Sequence, residues 1–239
     1  MKRKALKTIA LGSFVLVAVL GAAWQAQAQD ATTPYPSMAP LDQYLIADRN
    51  AEIALARSAA PESISQDAEI MVLGRQGYET AVKGKNGFVC LVWRSWAAGI
   101  EDPEFWNPKQ RGPVCLNPAG ARFNLPLTAK RTALILAGRS KAQMFDDMKA
   151  AFDKKELPAP ESGAMCFMLS KQGHLNDHAG HWQPHLMFFV PPTEPATWGS
   201  GLQGSPVVGA FTDTQERVTV FLVPVAKWSD GTAASVDEH

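Results

Sequence analysis

The chain has 239 residues, of which 46% are hydrophobic, with 23 basic and 23 acidic side chains. Removal of residues 1–28, argued below, takes away four basic residues and leaves 19 basic against 23 acidic side chains, a net charge of −4 over 211 residues. A mildly acidic chain of this length can bury one sizeable core, and its charge gives no electrostatic basis for binding nucleic acid or anionic lipid.

The first 28 residues have the three parts of a cleavable secretory signal peptide. Four basic residues lie within the first seven positions, an apolar run covers residues 9–23, and residues 26–28 are Ala-Gln-Ala. The apolar run is about 15 residues long, whereas a membrane-spanning helix needs about 20. We therefore expect cleavage after Ala28, export to the periplasm or the exterior, and no stable membrane span in the mature protein. An uncleaved N-terminal anchor is the alternative.

The mature chain begins with a polar, proline-containing leader over residues 29–39, for which we expect disorder. A single globular domain is expected over residues 40–239. Apolar positions at helical spacing follow Pro40 and predict a helix over residues 40–59, which Pro61 ends.

Three short strands are predicted next, over residues 69–73, 78–83 and 88–93. The last two flank the segment 84–87, Gly-Lys-Asn-Gly, and Asn-Gly between two apolar runs is a strong signal for a β-hairpin. Residues 95–126 contain five prolines, which interrupt any helical or strand-like spacing of the apolar residues. This segment is therefore predicted to be a long irregular loop.

The second half of the chain is predicted to be mostly strand. Residues 132–137 resemble a buried strand, and a helix over residues 140–155 follows, with a capping box at its start and Pro158 beyond its end. Four further strands are expected, over residues 164–170, 185–190, 206–211 and 217–225. Two helices with about seven short, mostly sequence-adjacent strands indicate an α+β domain on a mainly antiparallel sheet.

The three cysteines of the mature chain allow three pairings in an oxidising compartment. We favour a disulfide bond between Cys90 and Cys115, which are nearest in sequence and of which Cys115 lies in the predicted loop. Cys166 lies in an apolar run and is expected to be a buried, unreactive thiol.

The segment 170–185 holds four of the five histidines of the chain within twelve positions. Neutral imidazoles are the usual ligands of Zn²⁺ and Cu²⁺, and a nearby carboxylate can ligate or orient one of them. The candidate metal ligands are His174, Asp177, His178, His181 and His185. No glutamate lies in the segment, which argues against a metalloprotease of the H-E-x-x-H type. The alternative is a polar loop whose histidines bind no metal.

A second hypothesis is a non-enzymatic module that binds glycans or peptides through tryptophans in predicted loops. The candidates are Trp106, Trp182 and Trp198, whose indoles could stack on a ligand or pack at the edge of the core instead.

A third hypothesis is a hydrolase in which Cys166 or Ser170 is the nucleophile and a nearby histidine the base. The sequence has neither G-x-S-x-G nor S-x-x-K to support it. Residues 199–204 match G-x-G-x-x-G in letters only, since no strand and helix flank them. The leading expectation is thus a site for an unknown small molecule or metal around residues 170–185, with no nucleic-acid partner.

Overall fold

The computed structural model of the protein describes residues 34–178 and 180–234. The predicted signal peptide and the first five residues of the predicted leader lie outside the described residues. Within them, the chain forms one mixed, mostly antiparallel sheet of eight strands with four α-helices. The α+β expectation is therefore confirmed in its outline, and the structure has eight strands and four α-helices where the sequence predicted about seven strands and two helices.

The strands are Glu69–Gly74 (β1), Gly77–Val82 (β2), Val89–Trp93 (β3), Gly112–Leu116 (β4), Met165–Met168 (β5), His185–Val190 (β6), Gly209–Asp213 (β7) and Val218–Pro224 (β8). The α-helices are Arg49–Arg57 (α1), Glu62–Ser65 (α2), Pro118–Leu136 (α3) and Lys141–Asp153 (α4). Short 3₁₀ helices occupy Leu41–Gln43, Ser95–Ala97 and Pro195–Trp198.

The strands lie in the order β2-β1-β3-β4-β5-β6-β8-β7. β1 and β3 are parallel, and all the other neighbouring pairs are antiparallel. Tyr78 of β2 and Phe211 of β7, on the strands at opposite edges of the sheet, line the same cavity beside α3. The sheet must therefore curve around α3, which brings its two edges toward each other.

The two faces of the sheet bury separate apolar clusters, as the alternation of side chains along a strand requires. On the inner face, residues such as Leu91, Val114 and Val220 share one apolar cluster with side chains of α3 and α4. On the outer face, α1 covers a smaller cluster that contains Ile70 and Val92. The sheet thus has a helix on each side, and the larger core lies on the side of α3.

A buried ion pair fastens α1 to the sheet. Glu52 of α1 accepts hydrogen bonds on Oε1 from Nη2 of Arg94, at 2.8 Å, and from the backbone N–H of Leu73, at 3.0 Å. Arg94 also donates from Nε to the carbonyl of Tyr44 at 2.6 Å. Both charged groups of this pair therefore have hydrogen-bond partners, which is the condition under which a folded protein tolerates a buried charge.

The predicted helix over residues 40–59 is wrong in its extent. A 3₁₀ turn follows Pro40, and the α-helix begins only at Arg49, where the side chain of Asp48 caps it by accepting from the N–H of Asn50 at 2.8 Å. Because a capping aspartate favours a new helix start, the apolar stripe of the sequence spans two short elements rather than one.

The predicted hairpin around residues 84–87 is also wrong, because β2 pairs with β1 and not with β3. The actual hairpin turns between Gly74 and Gly77. The segment 84–87 instead crosses the start of β1, so closely that a Cβ on Gly84 would lie 2.2 Å from the backbone N of Glu69. Strand periodicity identified the strands here but could not identify their partners.

The predicted irregular loop over residues 95–126 and the strand over 132–137 need the largest correction. β4 lies within that loop, and α3 runs from Pro118 to Leu136 across the end of the loop and most of the predicted strand. Asn117 caps α3 by accepting from the N–H of Gly120 at 2.7 Å, and Pro118 occupies the first turn, where a proline is tolerated.

The helix at residues 140–155 and the four C-terminal strands are confirmed as elements. Ser140 and Gln143 form the predicted capping box at the start of α4. β6 has the predicted bounds, whereas β7 begins three residues later and ends two residues later than predicted.

The disulfide bond between Cys90 and Cys115 is confirmed. The two residues face each other across neighbouring strands, β3 and β4, in the outer cluster beneath α1. Such a bond is compatible with an extracytoplasmic location. Cys166 is a buried free thiol, as predicted.

No helix in the described part of the chain is both long and apolar enough to cross a membrane.

Candidate functional site

The histidines of the segment 170–185 point to different surroundings. His174 lies with Nε2 3.3 Å from Oδ1 of Asp177, whereas His178 and His181 are exposed and His185 is buried. Within residues 34–178 and 180–234, no three His, Cys, Asp or Glu side chains lie close enough to hold a metal ion. The five candidate ligands therefore do not form a preformed Zn²⁺ or Cu²⁺ site, and metal binding by this loop stays a prediction that would need the loop to rearrange.

Asp177 has a structural role in this arrangement. It accepts hydrogen bonds from the phenol of Tyr35 and from Nζ of Lys109, the latter at 3.0 Å. These bonds, that from Tyr35 first, hold the pKa of Asp177 below its ordinary value. Its backbone N–H also donates to the carboxylate of Glu104. Asp177 thus ties the start of the described chain and the 104–109 loop to the histidine segment.

His185 is the most deeply buried of the four histidines in the segment 170–185. Its Nδ1 lies 2.7 Å from the carbonyl oxygen of Gln183, and its ring meets that of Trp182 edge-on at 6.2 Å between centroids. Burial lowers the pKa of His185, so the neutral imidazole is favoured.

Two of the three candidate tryptophans are parts of the core. Trp106 and Trp182 are each less than a tenth exposed, and the indole N–H of Trp182 donates to the carbonyl of Met168 at 3.2 Å. Only Trp198 is accessible, at 44% exposure, and it stacks on Phe221 with 4.6 Å between ring centroids. These three indoles do not form a common platform for a glycan or peptide.

The two candidate nucleophiles are inaccessible. Cys166 is fully buried, and burial raises the pKa of its thiol, which disfavours the reactive thiolate. Ser170 is also fully buried, and its Oγ lies 2.7 Å from Oγ of Ser58. Neither residue has the access that covalent catalysis requires.

The feature best suited to a ligand is a cavity of about 460 Å³ between α3 and the inner face of the sheet, here called the α3 cavity. Its lining includes six aromatic side chains: Tyr78, Trp93, Trp96, Phe123, Phe189 and Phe211. Lining residues range from the exposed Gly99 and Phe211 to the fully buried Trp96. The α3 cavity therefore runs from the surface into the core.

An ion pair lies in the wall of the α3 cavity. Arg131 of α3 pairs with Glu216, which lies in the turn between β7 and β8. Arg131 also donates from Nη1 to the carbonyls of Trp96 and Ala98, at 2.8 and 2.6 Å. One guanidinium thus joins α3, the 3₁₀ turn after β3 and the β7–β8 turn, and it fixes the shape of the cavity wall.

Glu216 is held in an unusual environment for a carboxylate. Burial raises the pKa of Glu216 above its ordinary value, and the negative charge of Asp213 raises it further. The positive charge of Arg131 lowers this pKa but does not cancel the rise. Asp213 also lines the α3 cavity. The negative charge of Asp213 therefore acts on Glu216, and both carboxylates belong to the cavity wall.

Two nitrogen donors in the cavity wall, Nε of Arg131 and the indole nitrogen of Trp93, have no hydrogen-bond partner among the described residues. Both atoms are buried, so a ligand in the cavity reaches neither unless the surrounding residues move. We give them no role in recognition.

The sequence contained two signals for this site that the prolines obscured. Asn117 followed by Pro118 is typical of a helix start, and Phe123, Leu127 and Arg131 recur every four residues along the helix that follows. With the helix recognised, that spacing places all three on one face. Only the folded sheet, however, brings Phe211 and Glu216 opposite them.

No protein-family model matches this chain, and comparison with curated proteins and with solved structures finds no similar protein.

Proposed function

We propose that the protein is an exported, non-enzymatic binding protein that holds a small, mainly apolar molecule in the α3 cavity. The observation that carries this proposal is the cavity itself, about 460 Å³ in volume and lined by six aromatic side chains. Pockets for small molecules typically measure about 300–1,000 Å³ and combine apolar walls with a few polar groups.

The rigidity of the walls supports this proposal. Trp96 donates from its indole nitrogen to Thr132 Oγ1 at 3.2 Å, and Tyr78 donates to the carbonyl of Val92 at 2.7 Å. Arg131 is fixed by its two carbonyl acceptors and by Glu216. Groups held in this way lose little conformational freedom when a ligand binds, which favours affinity.

The proposed location outside the cytoplasm has two supports. Residues 1–28 have the pattern of a signal peptide, and Cys90 and Cys115 form a disulfide bond. Periplasmic or secreted material should therefore begin near Gln29, which N-terminal sequencing would establish, and a retained Met1 would contradict cleavage.

A matched pair of alanine substitutions tests the binding site. Ala98 lines the α3 cavity. Ala133 lies on α3, the helix that forms one wall of the cavity, but its side chain is exposed at the surface. Ala98→Phe adds a ring to the cavity wall, and Ala133→Phe adds the same ring at the surface. Titration calorimetry with the neutral probe naphthalen-1-ylmethanol should give saturable binding to the unaltered protein and to Ala133→Phe.

Binding of naphthalen-1-ylmethanol to Ala98→Phe should be at least about tenfold weaker, which corresponds to about 1.4 kcal/mol. No saturable binding to the unaltered protein, or equal binding to both variants, would contradict the proposal. Circular dichroism and thermal unfolding of both variants would show that the fold is intact.

A further inference from the structure

The α3 cavity contains more negative charge than positive charge once each ion pair is accounted for. Five charged residues line it: Arg94, Asp102, Arg131, Asp213 and Glu216. Both arginines have carboxylate partners, since Arg94 pairs with Glu52 and Arg131 pairs with Glu216. Neither arginine therefore offers a free positive charge to a ligand.

The two remaining carboxylates have no ion-pair partner among the described residues. Asp102 lies near the ammonium of Lys141, which donates to its backbone carbonyl at 2.9 Å, so its charge is partly offset. No hydrogen bond or ion pair joins Asp213 to a cation in the described ranges 34–178 and 180–234. There its Oδ1 accepts from the backbone N–H groups of Gln215 and Glu216, at 2.9 and 2.8 Å.

The aromatic walls of the cavity also favour a positively charged ligand. The faces of Trp, Tyr and Phe rings carry negative electrostatic potential and attract a cation that lies above them. This molecule already uses that attraction elsewhere, where Nζ of Lys141 lies 5.1 Å from the ring centroid of Phe105. An aromatic cavity with one uncompensated carboxylate in its lining therefore attracts cations and repels anions.

Building on the proposed function, we infer that the α3 cavity selects ligands by charge. It takes apolar molecules that carry one positively charged amine or quaternary ammonium group, and Asp213 is the residue that recognises this group. Anionic molecules with the same apolar body are rejected, because a carboxylate or sulfonate would be desolvated next to Asp213 without a free cation to pair with.

Three probes that share one apolar body test this selection near pH 7. They are naphthalen-1-ylmethylamine as the cation, naphthalen-1-ylmethanol as the neutral molecule and naphthalene-1-carboxylate as the anion. Calorimetry should show the amine binding at least about tenfold more tightly than the carboxylate, or about 1.4 kcal/mol, with the alcohol between them.

Asp213→Asn keeps an oxygen to accept from the N–H groups of Gln215 and Glu216 while it removes the charge. This variant should reduce the preference for the amine over the carboxylate at least about threefold. The control is Asp146→Asn, which makes the same change in net charge at an exposed position of α4 outside the cavity lining. It should leave the preference as it is.

The possible results separate the two levels of the argument. If the alcohol does not bind, the proposed function fails. If the alcohol binds and the carboxylate binds as tightly as the amine or more tightly, the site stands but the charge selection is wrong. A preference for the amine that Asp213→Asn and Asp146→Asn change equally would assign it to the net charge of the protein, and this would also overturn the role of Asp213.

Discussion

The buried pair of Glu52 and Arg94 permits a stability prediction that the structure defines closely. In the Glu52→Gln variant, the side chain keeps an oxygen for the N–H of Leu73 but loses its charge, which leaves the Arg94 guanidinium unpaired. Both side chains are at most 2% exposed. Breaking a buried pair by removal of one charge costs about 3–5 kcal/mol, which is a large part of the about 5–15 kcal/mol that stabilises a typical folded protein.

For a domain of this size, each kcal/mol shifts Tm by about 2–4 °C, so Glu52→Gln should lower Tm by about 6–20 °C. Urea unfolding followed by tryptophan fluorescence gives the free energy, and a thermal melt gives Tm. The control is Asp42→Asn, which breaks the exposed pair of Arg75 and Asp42 and should change the free energy by at most about 1 kcal/mol. A loss below about 1 kcal/mol in Glu52→Gln would refute the view that this pair fastens α1 to the sheet.

Three further predictions concern the rest of the fold. Reduction of the bond between Cys90 and Cys115, which are 25 positions apart, should destabilise the protein by about 3 kcal/mol in urea unfolding, and a loss below about 1 kcal/mol would contradict this loop-entropy estimate. Gly87→Val should cost about 1–3 kcal/mol, because Gly87 has φ +78° and an added Cβ would lie 3.1 Å from Pro118; an unchanged urea midpoint would disprove the strain. Burial lowers the pKa of His185 in the folded protein. Below about pH 6.5 the unfolded chain therefore binds a proton at this residue more readily than the folded protein does, and stability should fall as the pH drops through that range. That fall should be smaller in His185→Phe, and equal pH slopes of Tm in both proteins would argue against it.

The sequence predicted best those elements that local signals define. The capping box at Ser140 begins α4 as expected, and the apolar run from His185 to Val190 forms β6 with its predicted bounds. The pairing of Cys90 with Cys115 also followed from closeness in sequence, because the two strands that carry them are adjacent in the sheet. In each case, the residues that decide the structure lie near one another in the chain.

Predictions failed where distant residues decide the structure. Asn-Gly after β2 suggested a hairpin, but β1 lies between β2 and β3, and pairing depends on the whole sheet. Prolines hid α3, although Pro118 lies in its first turn and Pro126 is accommodated inside it. A helix tolerates a proline in its first turn. Tertiary packing can also override the low helix propensity of a proline further inside the helix.

The candidate site could be predicted even less, because the α3 cavity combines residues from both edges of a curved sheet. Tyr78 and Phe211 are separated by more than half of the chain, and no local pattern relates them. The histidine cluster attracted attention through its composition, yet spacing along the sequence does not determine where imidazoles point. In the folded protein His185 lies inward, whereas His178 lies outward.

The central claim, that the α3 cavity is a ligand site, is tested most directly by intermolecular nuclear Overhauser effects between naphthalen-1-ylmethanol and the methionine methyl groups of the protein. Met187 lines the α3 cavity, whereas Met144 is fully buried outside its lining, so one measurement contains both the test and its control. We predict Overhauser effects from the naphthalene protons to the methyl group of Met187 and none to that of Met144. Bound probe with no contact to Met187 would place the ligand elsewhere and contradict the account.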